Sequence, residues 1–324
     1  MTVAGRQRDI HLDQRIFMTD QEPNESGEQP EFRSGFICFV GRPNTGKSTL
    51  TNALVGQKVA ITSSRPQTTR HTIRGIVNRD GLQLVLVDTP GLHRPRTLLG
   101  KRLNDLVKDT LAGVDVIGLC VPADEKIGPG DRWIAEQVKA LAPGATLMGV
   151  VTKTDKAGPD QVAAQLLALS ELIGADAELV PVSSKKNKQV DVLIDVLAGL
   201  CEPGPAFYPD GEITDEPEET LMAEFIREAA LEGVRDELPH SLAVTIEEVI
   251  EQDKHVDVHA ILYVERDSQK GIVIGKGGAR LKQVGTAARV QIERLLGTKV
   301  YLDLHVKVAK DWQRDPKQLG RLGF

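Results

Sequence analysis

Residues 41–48 read Gly-Arg-Pro-Asn-Thr-Gly-Lys-Ser, between an apolar run at 35–40 and a helix-like stretch at 49–55. No other feature of the chain restricts its fold as tightly. A strand that runs into glycines and restarts as a helix gathers backbone N–H groups at one point, and the new helix aims its positive end at the same point. With Gly41, Gly46, Lys47 and Ser48 at this spacing, the anion held there is the phosphate chain of a nucleoside triphosphate. Asn44, Thr45 and Thr49 border it, Lys47 reaches the β- and γ-phosphates, and the Ser48 hydroxyl is placed to ligate Mg²⁺.

Such a loop leaves the carboxyl end of a strand in an α/β sheet, and the pattern that follows supports one. Short apolar runs at 36–40, 82–87, 116–121, 146–151 and 179–182 predict buried, mostly parallel strands. Between them, 98–112 carries Leu99, Leu103, Leu106 and Val107 at helical spacing, and 131–141 is a second helix. Three prolines and two glycines in 201–211 then break the pattern and predict a linker of limited flexibility. Beyond it the expected order is helix 220–232, strand 241–249, strand 256–265, a glycine-interrupted helical stretch 271–296 and strand 299–309. Val256, Val258, Ala260, Leu262 and Val264 share one face of a strand, as do Val300, Leu302, Leu304, Val306 and Val308, and helices must cover those faces.

A chain of 324 residues is long enough for two domains. The expected organisation is a disordered extension over 1–34, a nucleotide domain over 35–201, a linker over 202–219 and a second domain over 220–324. The extension is polar and too poor in apolar surface to offset the entropy of ordering. Cys38, Cys120 and Cys201 are widely spaced and form no CxxC pair, which points to a reducing, cytoplasmic compartment. No run approaches the ~18 apolar residues of a membrane span, and no signal peptide opens the chain. The net charge of −6 is uneven: 210–254 holds 3 basic and 15 acidic side chains, whereas 255–324 holds 13 and 7. The basic end suits an anionic partner, and the acidic stretch reads as a solvated surface.

Further candidate residues fall at strand ends. Asp88 follows the run 82–87 and can hold Mg²⁺, while Gly91 can bring a bare N–H to a γ-phosphate. Thr152, Lys153 and Asp155 follow the run ending at Val151; Asp155 can accept two hydrogen bonds from guanine that adenine cannot donate, and Lys153 can lie over the base. Ser183, Ser184 and Lys185 stand where a backbone N–H meets guanine O6. In the second domain, Gly275-Lys276-Gly277-Gly278 is a G-x-x-G turn with Arg280 and Lys282 just after it, the arrangement of a KH-type RNA clamp. Small residues there let a sugar-phosphate backbone approach, and the next helix offers its N-terminus.

The 41–48 loop, Pro66-Gln-Thr-Thr-Arg-His71, Asp88-Thr-Pro-Gly91 and Ser183-Ser-Lys185 resemble the guanine-nucleotide motifs of translation-factor-related GTPases, specifically the Era family of bacterial GTPases. The resemblance extends through Arg235-Asp-Glu-Leu-Pro-His240 and the tail 306–316, so it covers about 35–324. It implies an α/β P-loop GTPase domain followed by a smaller α+β type II KH domain. It also implies hydrolysis of GTP to GDP, with Thr69, or else Thr68, closing over Mg²⁺ and the γ-phosphate. The implied catalytic residues are Lys47, Thr69 and Gly91, and the implied metal ligands are Ser48, Thr69 and Asp88. Leu92 stands where many signalling GTPases carry a water-orienting Gln, which implies slow intrinsic turnover. Asn44 resembles a position that holds K⁺ beside the phosphates in related GTPases. The family binds the 3′ region of small-subunit ribosomal RNA during ribosome maturation and associates peripherally with the inner membrane; a monomer is expected. One departure is plain: Thr152 occupies the place of the family's usual Asn, keeping one hydrogen bond but not the amide's paired donor and acceptor. The alternative reading is an RNA-binding assembly protein whose nucleotide domain is structural or weakly hydrolytic. A GTPase that modifies tRNA or carries tandem nucleotide domains is disfavoured, since no second Gly-x-x-x-x-Gly-Lys-Ser occurs and no catalytic cysteine cluster follows.

Overall fold

The computed structural model describes residues 31–63, 68–91, 97–232 and 238–324. The chain forms β1 (Arg33–Val40), α1 (Lys47–Val55), β2 (Ile73–Arg79), β3 (Leu82–Asp88), α2 (Leu98–Leu111), β4 (Val116–Pro122), α3 (Pro129–Leu141), β5 (Thr146–Thr152), α4 (Pro159–Ile173), β6 (Leu179–Pro181) and α5 (Val190–Leu200). These six strands make one sheet in the order β2-β3-β1-β4-β5-β6, parallel except for the antiparallel edge strand β2. Leu50, Leu54, Leu193 and Leu197 from α1 and α5 cover one face. Val107, Ile134, Val138 and Leu169 from α2, α3 and α4 cover the other, so the sheet is buried on both sides.

One boundary needs correction, and one strand was not read. Residues 1–30 lie outside the described residues, but Arg33 and Ser34, expected to be part of a disordered extension, open β1. Arg33 pairs with Leu82 and its N–H donates to the Gly81 carbonyl at 2.9 Å, because a polar side chain does not prevent its backbone from extending a ladder. Strand β2 was not legible as a strand, since Arg74 and Gly75 interrupt its apolar run. Its glycine is a packing requirement: a Cβ at Gly75 would stand 2.6 Å from Val55 Cγ2 of α1.

The remainder forms α6 (Glu218–Leu231), α7 (Leu238–Ser241), β7 (Ala243–Glu251), β8 (Val256–Val264), α8 (Asp267–Ile274), α9 (Ala279–Leu296), β9 (Val300–Val308) and α10 (Pro316–Arg321). β8 is antiparallel to β7 and parallel to β9. The expected apolar face of β8 packs beneath α6, α8 and α9 through Phe225, Ile226, Val273, Val284 and Ile292. The reverse face is buried as well where β8 ends: Ile261 and Tyr263 meet Leu99 and Leu103 of α2, with Trp312, Leu319 and Leu322 from the chain's last segment. The two sheets are thus joined by a shared apolar cluster in addition to the linker.

That linker is tied down along its length. Gln83 accepts from the Phe207 and Tyr208 N–H groups at 2.7 and 2.9 Å and donates to the Tyr208 carbonyl. Ile76 N–H donates to the Ile213 carbonyl at 2.9 Å, and Arg74 pairs with Asp215. Part of the acidic stretch also departs from a solvated surface, since Glu224 and Glu228 of α6 are buried against residues 58–70.

Trp312 is fully buried and donates from its indole nitrogen to the Ser241 carbonyl at 3.1 Å. Trp312→Ala leaves a cavity in the cluster that joins α2 to β8 and should cost about 3–5 kcal/mol, read as a lower urea midpoint at unchanged slope.

Candidate functional site

Parallel pairing of β1 with both β3 and β4 brings the Gly41 loop and Asp88 together at the carboxyl end of the sheet. The loop is held in backbone conformations that suit its composition: φ is +64° at Asn44 and +100° at Gly46. A Cβ at Gly41 would lie 2.6 Å from the Cys120 carbonyl oxygen, so only glycine lets the loop lie against β4. α1 starts at Lys47 with no side chain capping it, leaving its first N–H groups facing the cavity. Arg42 braces the loop from outside through Asp131 at 2.8 Å and Glu125 at 3.1 Å, a contact the sequence did not signal.

Lys47 Nζ donates to the carbonyls of Gly41 at 3.1 Å and Arg42 at 3.0 Å. Burial pushes this ammonium below the ordinary lysine value, against the opposing pull of Asp88. Ser48 Oγ donates to Asp88 Oδ2 at 2.8 Å, and Thr69 Oγ1 donates to the same oxygen at 3.2 Å and lies 3.1 Å from Ser48 Oγ. Burial pushes the Asp88 carboxyl up to about 6, opposed by the Ser48 hydrogen bond and the charge of Lys47. Its Oδ1 is buried with no hydrogen-bond partner among the described residues. Two hydroxyls and one carboxylate converging beside an orphaned carboxylate oxygen form an all-oxygen donor set that fits Mg²⁺. Of the two threonines left open by the sequence, Thr69 supplies the hydroxyl here, while the Thr68 carbonyl accepts from Arg227.

Gly91 lines the same cavity, and a Cβ on it would stand 3.7 Å from Lys47 Nζ. Leu92, Pro66, Gln67 and Arg235 lie outside the described residues. After β5, Asp155 is exposed, and the buried Ser183 hydroxyl donates to its Oδ1 at 2.6 Å. That hydrogen bond holds the Asp155 carboxyl below its usual value, so it is an anion ready to accept. Lys153 is in the left-handed region at φ 55°, and Lys153 and Lys185 both border the cavity. Ser184 opens a turn of 3-10 helix after β6. Thr152 Oγ1 donates to the Thr45 carbonyl at 2.5 Å, tying the base-side loop to the phosphate loop.

The cavity has a volume of about 520 Å³, and its wall is not confined to the first domain: Glu228, Leu231 and Glu232 of the α6 end complete it. Glu228 accepts from Thr62 N–H at 2.8 Å and from the Thr62 hydroxyl at 3.2 Å, and pairs with Lys58. Beside it, burial and the repulsion of Arg227 bring Arg70 down to about 9. Burial drives Glu224 up, but the adjacent charge and hydrogen bonds of Arg227 outweigh it and hold the carboxyl below its ordinary value.

In the second domain, Gly275, Gly277 and Gly278 have φ of 73°, 58° and 78°, the sharp turn between α8 and α9. Lys276, Gly277 and Lys282 are exposed, and Ile272 is 55 % exposed beside them. α9 begins after Gly278 with no side-chain cap. Arg280 does not join this exposed group: its Nη2 donates to the Ala230 and Glu232 carbonyls at 3.2 and 2.6 Å.

This architecture defines a P-loop GTPase domain joined to a KH domain. The model of the 50S ribosome-binding GTPase family matches residues 36–153, and that of the KH domain matches 237–313. The chain is 79% identical over 297 residues to GTPase Era of Mycobacterium sp. (strain JLS), covering 91% of this chain and 99% of that one. It is 77% identical, with the same coverage, to GTPase Era of Mycolicibacterium smegmatis. A crystal structure of Era in complex with MgGDPNP and nucleotides 1506-1542 of 16S ribosomal RNA matches with a TM-score of 0.86 at 35% identity, covering 90% of this chain and 99% of that one. The chain belongs to the Era family of GTPases.

Thr152→Val removes the hydroxyl and leaves the Thr45 carbonyl without it. GDP affinity should fall roughly tenfold, within the cost of unpairing one buried acceptor, and a fluorescent-GDP titration reads it; affinity unchanged within twofold would make the tether irrelevant.

Proposed function

We propose that this GTPase is a switch that grips the 3′ region of small-subunit ribosomal RNA through its KH domain and assists maturation of the small ribosomal subunit. One observation carries the reading: α6, packed on the sheet of the second domain, forms part of the nucleotide cavity, and Arg227 and Glu228 on it hold the segment that carries Thr69. The related Era crystallised with MgGDPNP and 16S ribosomal RNA supports the partner.

In this reading Gly41, Asn44, Thr45, Gly46, Lys47, Ser48 and Thr49 surround the phosphates of GTP. Thr152, Lys153, Asp155, Ser183, Ser184 and Lys185 serve the guanine. Asp155 accepts from guanine N1 and N2 while Ser183 fixes its orientation. Ser48, Thr69 and Asp88 would hold Mg²⁺, whose chemistry is to draw off charge from the β- and γ-phosphate oxygens. Water attacks the γ-phosphorus in line, the bond to the bridging oxygen breaks, and GDP leaves with the charge. Lys47 and the open N–H groups of α1 stabilise that charge, and Lys47 does so from a dry site where its field is strong. Gly91 brings its N–H toward the γ-phosphate and so registers its loss. Asn44 serves as a ligand for K⁺; equal hydrolysis rates in K⁺ and Na⁺ would remove that role. RNA lies along Gly275, Lys276, Gly277, Gly278 and Lys282; Arg280, expected beside them, turns instead to the Ala230 and Glu232 carbonyls. The family likeness adds a cytoplasmic monomer in peripheral contact with the inner membrane face; no helix of the described residues is long and apolar enough to cross a membrane.

Lys47→Ala should abolish Mg²⁺-dependent phosphate release and weaken guanine nucleotide binding at least a hundredfold, measured by phosphate release and calorimetry. Tight binding with no release in the wild-type chain would favour the structural reading of the nucleotide domain. Gly277→Asp sets a charge where phosphate must approach and should lower RNA affinity by about tenfold or more across a salt titration. Binding unaffected at every salt concentration would dismiss the KH assignment.

A further inference from the structure

Arg280 is the second residue of α9, where a cation opposes the helix's own positive end. Its guanidinium resolves the conflict by turning to the negative end of α6, where Nη2 spans the Ala230 and Glu232 carbonyls. Glu232 leaves the helix extended at φ −62° and ψ 132°, and the Arg280 fork donates to two of the carbonyls at that end. The Arg280 Nε is buried, and the fork beyond it is engaged by the two carbonyls.

The other side of Arg280 is fixed by the clamp. A Cβ on Gly275 would stand 2.7 Å from Arg280 Cβ and 3.1 Å from its backbone nitrogen, so the turn lies directly against this residue. RNA that reshapes the turn must therefore move Arg280. α6 carries the displacement to the nucleotide: residues 227 to 232 span about 8 Å of helix. Within that span Arg227 binds the Thr68 carbonyl, Glu228 binds Thr62, and Leu231 and Glu232 border the cavity.

We propose that Arg280 is a positioning residue that ties the RNA-gripping turn at 275–278 to the last turn of α6, and thereby links RNA affinity to the nucleotide held at Lys47. The proposal rests on the reading of the chain as a GTP-controlled RNA binder. It assigns the link to one side chain instead of the interface at large.

The test uses the full chain, RNA of nucleotides 1506–1542 of 16S ribosomal RNA, GDP and GDPNP, and the variants Arg280→Met and Arg280→Lys. RNA Kd is measured by anisotropy in each nucleotide state, and nucleotide Kd is measured without RNA. In the wild-type chain the two RNA affinities should differ by about tenfold. Arg280→Met should bring them within about twofold while both nucleotides still bind as in the wild type. Arg280→Lys should fall between, since an ammonium caps one carbonyl and cannot fork across two. The proposal is overturned if Arg280→Met keeps the wild-type ratio, or if both RNA affinities drop by one factor, which would make Arg280 an RNA ligand. It is overturned too if the wild-type chain binds RNA equally in both states. RNA binding absent from the wild-type chain in either state would remove the underlying reading, an outcome distinct from all of these.

Discussion

The chemistry of this molecule depends on two opposite charges kept out of water, the ammonium of Lys47 and the carboxylate of Asp88, both fully buried at the ends of adjoining elements. Isolated charges in such a place are unfavourable, and each shifts toward neutrality. A phosphate beside Lys47 and a cation beside Asp88 would each supply a missing partner. The sheet register that aligns β1 with β3 is what makes this arrangement possible. A slip of one residue would turn Asp88 to the opposite face.

A second buried charge cluster lies where the two domains meet. Arg70, Arg227 and Glu224 are each nearly inaccessible, and Arg70 is stacked within 6 Å of the Trp312 and Phe324 rings. Arg227 pairs with Glu224, while Arg70 feels the charges of Glu224 and Glu265 and donates from Nη1 to the Leu242 carbonyl at 2.5 Å.

Legibility in the sequence followed the reach of each interaction. The phosphate loop, Asp88, the alternating strands of the second domain and the glycine turn were legible because their chemistry is local and their spacing is fixed by one strand or one helix. Strand β2 was hidden because an edge strand tolerates Arg74 and its glycine answers to α1, residues away in the chain. Arg42, Arg280 and the Thr152 tether were invisible for a related reason. Each acts on a backbone carbonyl or carboxylate brought near only by folding, and sequence periodicity carries no record of such partners. The inward turn of Arg280 shows the limit well: beside a G-x-x-G motif, a cation suggests RNA, whereas the end of a neighbouring helix claimed it.

The path of the linker has a consequence for colonies of folded molecules in a crowded solution. An open sheet has two rims, each a row of peptide groups able to recruit a rim from another copy. On one side β6 is only three residues and terminates in Pro181, which has no N–H to offer. On the other, the Ile76 N–H donates to the Ile213 carbonyl, and the Asn78 side-chain amide donates to the Glu212 carbonyl. The tether between domains therefore doubles as a hem, sealing the selvedge along which stacking into fibrous aggregates would otherwise begin.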